Sequence, residues 1–225
     1  MNFKVWLENN DMNKTIIHSA FEKGIDKSDN SILGFHGTSI FSLMNAIKTG
    51  FLPITKGSEA YAGGGGIEST KAYGENFEKY GFHLVPNPKN KVIQKINFRK
   101  NLIQDPYKEA VNWANYLASR HSYFDKYNMD FDNPKHHAAS HELEAGMKIG
   151  EKEIQKKYNL QKPKSNPIKS GVVLAISDSA ANDFEVLMGG DGDDVNVVTK
   201  SFPIKYIKGI DPVDDYAYEW LDQLI

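Results

Sequence analysis

The residues with most chemistry to offer fall in a few short stretches. Gly34-Phe35-His36-Gly37-Thr38 sets an imidazole, an unhindered backbone and a hydroxyl side by side at the end of an apolar run, which suits gripping a polar ligand. Tyr61-Ala62-Gly63-Gly64-Gly65-Gly66-Ile67-Glu68, followed by Tyr73, Phe77 and Tyr80, puts aromatic rings beside four consecutive glycines. Rings stack on a flat ligand, and glycine lets it come close; the plain alternative is a surface loop before an amphipathic helix. Asp191-Gly192-Asp193-Asp194 opens a late β-like run with carboxylates, and Asp194 shares a strand face with Asn196. An acidic hairpin turn is the plain alternative there, and a calcium β-roll would need stacked copies of a segment that occurs once. His137 and His141 are four apart, as two metal-ligating imidazoles on one helix face would be. Ala138 follows His137, so the zinc-protease order His-Glu-x-x-His is missing, and a solvated or partner-contacting helix face is the other reading.

The elements that must position these groups follow from periodicity. Ile32, Leu33 and Phe35 predict a buried strand, and Ile40, Phe41, Leu43, Met44 and Ile47 predict a helix capped by Thr38 or Ser39 and stopped at Gly50. A glycine-rich loop over 56–66 and a short helix over 70–80 come next. Phe82–Val85 and Val92–Ile96 then read as two strands around Pro86-Asn87-Pro88. Ala110, Trp113, Ala114 and Leu117 recur at helical spacing, and a second helix follows Asn133-Pro134 with Leu143, Met147 and Ile149. The remaining apolar runs, Gly171–Ile176, Phe184–Leu187, Val195–Val198 and Ile204–Ile207, alternate with Gly/Asp turns and predict antiparallel strands. Residues 1–30 read as an N-terminal helical extension, 31–225 as the body, and about 105–165 as a helical insertion within it.

Composition narrows the classes. The chain has 225 residues, 40% of them hydrophobic and 25% charged, as in an ordinary globular protein. A formal charge of −2 gives no global attraction to nucleic acid or anionic membrane. Zero cysteines exclude disulfides, thiolate-zinc sites and a cysteine nucleophile. The absence of a long apolar run and of a hydrophobic signal core leads to the expectation of a protein without a membrane partner. It would act in the cytoplasm, or be delivered to a target-cell cytosol without a classical signal peptide. The glycine tetrad carries no Gly-Lys-Ser/Thr and opens no βαβ unit, so neither Walker nor Rossmann phosphate binding is expected.

The order strand, His36-Gly37-Thr38, helix, Gly50-Phe51 resembles the first nucleotide-binding segment of the ADP-ribosyltransferase superfamily, in the branch with His on its first core strand (the diphtheria toxin and poly-ADP-ribose polymerase type). The resemblance covers about 31–98 and 171–210, where Asp194 opens a late strand and Ile207-Lys208-Gly209-Ile210 matches the family's closing Ile-x-x-Ile. It departs from the pattern at two places: Gly66-Ile67-Glu68 stands where many members read Gly-Ile-Tyr, and aspartate stands where glutamate is usual.

The resemblance implies an α+β fold of two small packed antiparallel sheets with a cleft between them. It implies transfer of ADP-ribose from NAD, as co-substrate and without a metal, to a macromolecular acceptor, a protein before a nucleic acid. It would give His36 the adenosine-side ribose, Gly37 and Thr38 the nicotinamide amide end, Tyr61, Tyr73 and Phe77 the ring contact, and Asp194 the catalytic carboxylate beside the nicotinamide ribose. Two alternatives share the scaffold: an NAD-using RNA 2′-phosphotransferase, and a catalytically degenerate binding or structural protein.

Overall fold

The structure is a computed structural model that describes residues 11–52, 55–56, 80–96, 104–131, 133–146, 150–188, 194–199 and 201–224. Six strands form one antiparallel path: β6 (Glu185–Met188), β7 (Val195–Val198), β4 (Tyr80–Pro86), β1 (Ile32–Ser39), β5 (Gly171–Ser177) and β9 (Ile207–Pro212). Strand β3 (Thr55–Lys56) joins β4 as a seventh, while β2 (Phe51–Leu52) and β8 (Phe202–Pro203) make a separate pair. The expected pair of small sheets therefore takes a different form, two halves joined edge to edge through β1 and β4.

That joint is short. β1 and β4 are in register only at Gly34↔Pro86 and Phe35↔Val85, whereas β1 and β5 pair along nearly their whole length. On the same flank β4 meets β3 at Tyr80 and Gly81, and its other flank carries β7 from Gly81 to Leu84. The ladder thus opens between the outer part of β1 and residues 82–84 of β4.

The sheet buries both faces. One carries the main core, where Leu84, Phe82, Leu174, Ile176, Val195 and Ile210 pack with helices α1 (Asp11–Lys23), α2 (Ile40–Thr49) and α8 (Asp215–Asp222). Ser39 caps α2, its Oγ accepting from Ser42 N–H at 3.2 Å, and Gly50 ends it at φ 79°, a left-handed conformation that glycine adopts without steric cost. Helix α1 contributes Ile17, fully buried, so the segment that reads in sequence as an N-terminal extension shares this core; residues 1–10 lie outside the described residues.

The opposite face is covered by α4 (Pro106–Lys126), the first helix of the 105–165 stretch. Asp105 caps it, accepting from Lys108 N–H at 3.0 Å, and Pro106 fits its first turn. Its buried face is an alanine stripe, Ala110, Ala114 and Ala118 at four-residue spacing, which permits close approach to the sheet. A Cβ at Gly37 would stand 1.9 Å from the Ala110 carbonyl oxygen, and one at Gly171 would stand 2.7 Å from that of Ala114. Trp113, expected on the buried face, is instead 42% exposed. Helices α5 (Pro134–Glu144) and α6 (Glu151–Lys157) build a satellite core of Tyr127, Leu143 and Ile154 beyond it.

Two predicted strands have another structure. Val92–Ile96 lies mostly in α3 (Lys91–Lys95), because Asn90 accepts from Val92 N–H at 2.8 Å and starts a turn that sinks only Ile93. Ile204–Tyr206 is a 3₁₀ turn after Pro203, tied by Ile204 N–H to the Gly50 carbonyl at 3.1 Å, and the strand begins at Ile207. The short helix α7 (Ala180–Asp183) leads into β6. No described helix is long and apolar enough to cross a membrane.

Candidate functional site

Antiparallel alternation assigns the groups around the β1–β4 opening. His36 and Thr38 are register partners of Leu174 and Val172, so they face the main core; Phe35, Gly37 and Ser39 face α4. The Asn87 N–H donates to the Leu33 carbonyl at 3.0 Å, which sets the odd-numbered peptide groups of β1 toward β4. Continued by the same register, Gly37 would pair with His83. The register pairs end one step earlier, at Phe35↔Val85.

His36 takes over where the ladder stops. Its Nδ1 lies 2.8 Å from the His83 carbonyl oxygen, and since a carbonyl only accepts, Nδ1 carries the proton and Nε2 the lone pair. Its ring rests on Phe82 at 4.4 Å, and Phe82 stacks on Phe202 at 4.1 Å with 13° between planes. Although the residue is partly exposed, burial holds its pKa down at about 4, against a partial upward pull from the His83 carbonyl. At neutral pH His36 is therefore an uncharged donor toward the strand, with Nε2 left as an acceptor.

The far side of β4 carries a second pair. His83 alternates with Phe82 and Leu84, so its side chain turns to the α4 face, where its register partner is Asn196. Its Nε2 meets Oδ2 of Asp194, the residue just before β7. The Asp194 side chain is 19% exposed; its Oδ1 is buried and has no hydrogen-bond partner. His36 and Asp194 are thus brought to one residue, His83, from opposite faces of β4: the first through its backbone oxygen, the second through its imidazole.

Of the other predicted site residues, Thr38 is 2% exposed and part of the packed strand. Gly37 has its Cα side filled by α4, so its missing side chain serves helix packing, while its peptide groups point to the opening. Tyr61, Tyr73 and Phe77, with the glycine tetrad and residues 70–79 of the predicted helix, lie outside the described residues, as do Asp191, Gly192 and Asp193; Tyr80, the end of that predicted helix, opens β4 instead.

Two residues near the opening escaped the sequence reading. His83 was readable as the one polar position in the alternating run Phe82-His83-Leu84-Val85. Trp113 shares the α4 turn that covers Gly37, a Cβ there standing 2.9 Å from Trp113 Cβ, and its ring lies edge-on to Tyr116 at 5.8 Å.

The histidines of the helical stretch do different work. His121 on α4 is buried, and its Nδ1 shares a hydrogen bond with the Ser39 hydroxyl at 2.6 Å, linking the capped start of α2 to α4. Burial, then the neighbouring His137 and Arg120, lower its pKa to about 3. His137 Nε2 lies 2.5 Å from the Phe131 carbonyl oxygen, and His136 Nδ1 accepts from Asp130 N–H at 2.8 Å. Among the described residues no three His, Cys, Asp or Glu side chains are grouped to hold a metal ion. Comparison of the chain with protein-family models, with curated proteins and with solved structures finds no match.

Proposed function

We propose that this chain uses NAD as a co-substrate and transfers its ADP-ribose to a macromolecular acceptor, a protein side chain, on an ADP-ribosyltransferase-like fold. One observation carries the reading: the β1–β4 ladder stops at Phe35, His36 occupies the next strand carbonyl, and the Gly37 peptide faces the opening. A carboxamide needs a backbone donor and acceptor at one point, which is what a glycine peptide on an open strand edge supplies. The sequence order of His36-Gly37-Thr38, the glycine-aromatic segment, Asp194 and Ile207-Lys208-Gly209-Ile210 supports it independently.

In this reading the Gly37 peptide orients the nicotinamide carboxamide, and His36 offers Nε2 to a ribose hydroxyl. The bond between nicotinamide nitrogen and ribose C1′ breaks with its electron pair leaving on nicotinamide, and the acceptor nucleophile bonds C1′ as its proton is lost. Positive charge develops on the ribose, and the Asp194 carboxylate stabilises it. Calorimetric titration with NAD and an assay of nicotinamide release test this together. The expected result is saturable binding by the wild type, with release lost in Asp194→Asn while binding persists; no saturable heat would end the reading.

A second reading, a binding protein on the same core without turnover, is favoured by one specific feature. His36 and Asp194 sit on opposite faces of β4, and His83 already engages one Asp194 oxygen. Saturable NAD binding by the wild type with no nicotinamide release would select it.

A further inference from the structure

We propose that His83 is the positioning residue for Asp194, holding Oδ2 through its Nε2–H so that Oδ1 is kept as the acceptor for a ligand hydroxyl. The inference rests on the transferase reading for the identity of that ligand, a ribose, and on geometry for the rest.

Three observations carry it. Asp194 Oδ1 is buried and makes no hydrogen bond, an arrangement that stands as an unmet acceptor until a donor arrives. The other carboxylate oxygen is held by an imidazole, a rigid ring on a strand rather than a flexible chain on a loop, which fixes the plane of the carboxylate. The strand position of that imidazole is itself fixed, because the His83 carbonyl receives His36 Nδ1 at 2.8 Å and Leu84 is paired with Val195. One residue therefore ties His36 and Asp194 together from opposite faces of β4.

The division between backbone and side chain makes this testable. Replacing the His83 side chain leaves its carbonyl, and so the His36 contact, in place. In a kinetic assay of nicotinamide release by the full chain, His83→Ala should lower kcat about tenfold or more with KM changed less than about threefold, since a ligand contact made in the transition state is lost rather than ground-state binding. His83→Gln restores an N–H donor at similar reach and should recover kcat to within about threefold of wild type. On an Asp194→Asn background His83→Ala should add little, because the two act as one unit. Unchanged kcat in His83→Ala, failure of His83→Gln to recover it, or an equal further loss on the Asp194→Asn background would overturn the assignment while leaving the transferase reading standing. Should the wild type neither bind nor cleave NAD, that reading falls, and imidazole ¹⁵N resonances decide the positioning role: His83 signals that move in Asp194→Asn uphold it, and unmoved signals overturn it.

Discussion

His36 Nδ1 donates to the main-chain oxygen of His83 across a gap where two strands have stopped pairing. A side chain here does the work of a ladder hydrogen bond, and the consequence is a sheet that divides without leaving that part-buried carbonyl unsatisfied. His36→Ala should cost about 1–3 kcal/mol of stability by stranding the carbonyl, and should also weaken NAD binding. Urea unfolding and calorimetry on the same preparation check both. Full stability in the variant would mean that the strands simply close.

Gly37 is required by helix packing before any ligand is considered. The Ala110 carbonyl lies where a Cβ would go, so Gly37→Ala must push α4 off the sheet, and a loss above about 3 kcal/mol or failure to fold is expected. Gly50→Ala is the control. It strains only a left-handed helix stop, should cost about 1 kcal/mol, and should leave NAD binding alone. Thermal unfolding of the two variants separates the effects; a well-folded Gly37→Ala protein would show that α4 does not lie as close as described.

The Ser39 hydroxyl serves two partners, accepting from Ser42 N–H and sharing a hydrogen bond with His121 Nδ1. Ser39→Ala removes the helix cap and leaves a buried imidazole nitrogen short of its partner, for an expected cost of about 1–3 kcal/mol. A double-mutant cycle with His121→Phe should give a coupling of about 1 kcal/mol or more between the positions. Additive losses would show that the contact carries no energy.

Acid should weaken the fold from below about pH 6.5. His36 and His121 have native pKa values of about 4 and about 3, both below the ordinary value of 6.5, because burial disfavours the imidazolium. Between pH 6.5 and about 4 the unfolded chain takes up protons that the native chain refuses, so stability from these groups is complete above 6.5 and falls with pH. The two together contribute a slope of up to about 3 kcal/mol per pH unit near pH 5. Asp29, lowered to about 2 chiefly by Lys208 and then by Ser31, adds a loss only below its ordinary 3.8. Urea midpoints measured at several pH values should show the steep region, and His121→Gln should flatten it by about half. An equally steep curve in His121→Gln would assign the effect elsewhere.

The sequence by itself determined the parts whose causes are local. The apolar run ending in His36, the Ser39 cap, the Gly50 stop, the continuous apolar run of β5 and the alternating run of β7 are written in periodicity and in capping side chains, which act within a turn or two of chain. Val92–Ile96 failed for the same kind of reason, since Asn90 supplied a cap that outweighed β-branched composition. What only tertiary structure decided was which face and which neighbour. That the emptiness at Gly37 is filled by α4, that Trp113 stays accessible while alanines are buried, and that His36 and Asp194 meet at His83 from opposite faces all depend on strand register and helix docking between segments far apart in the chain. A register shifted by one residue would turn every one of these side chains to the other face, and no local pattern encodes that choice.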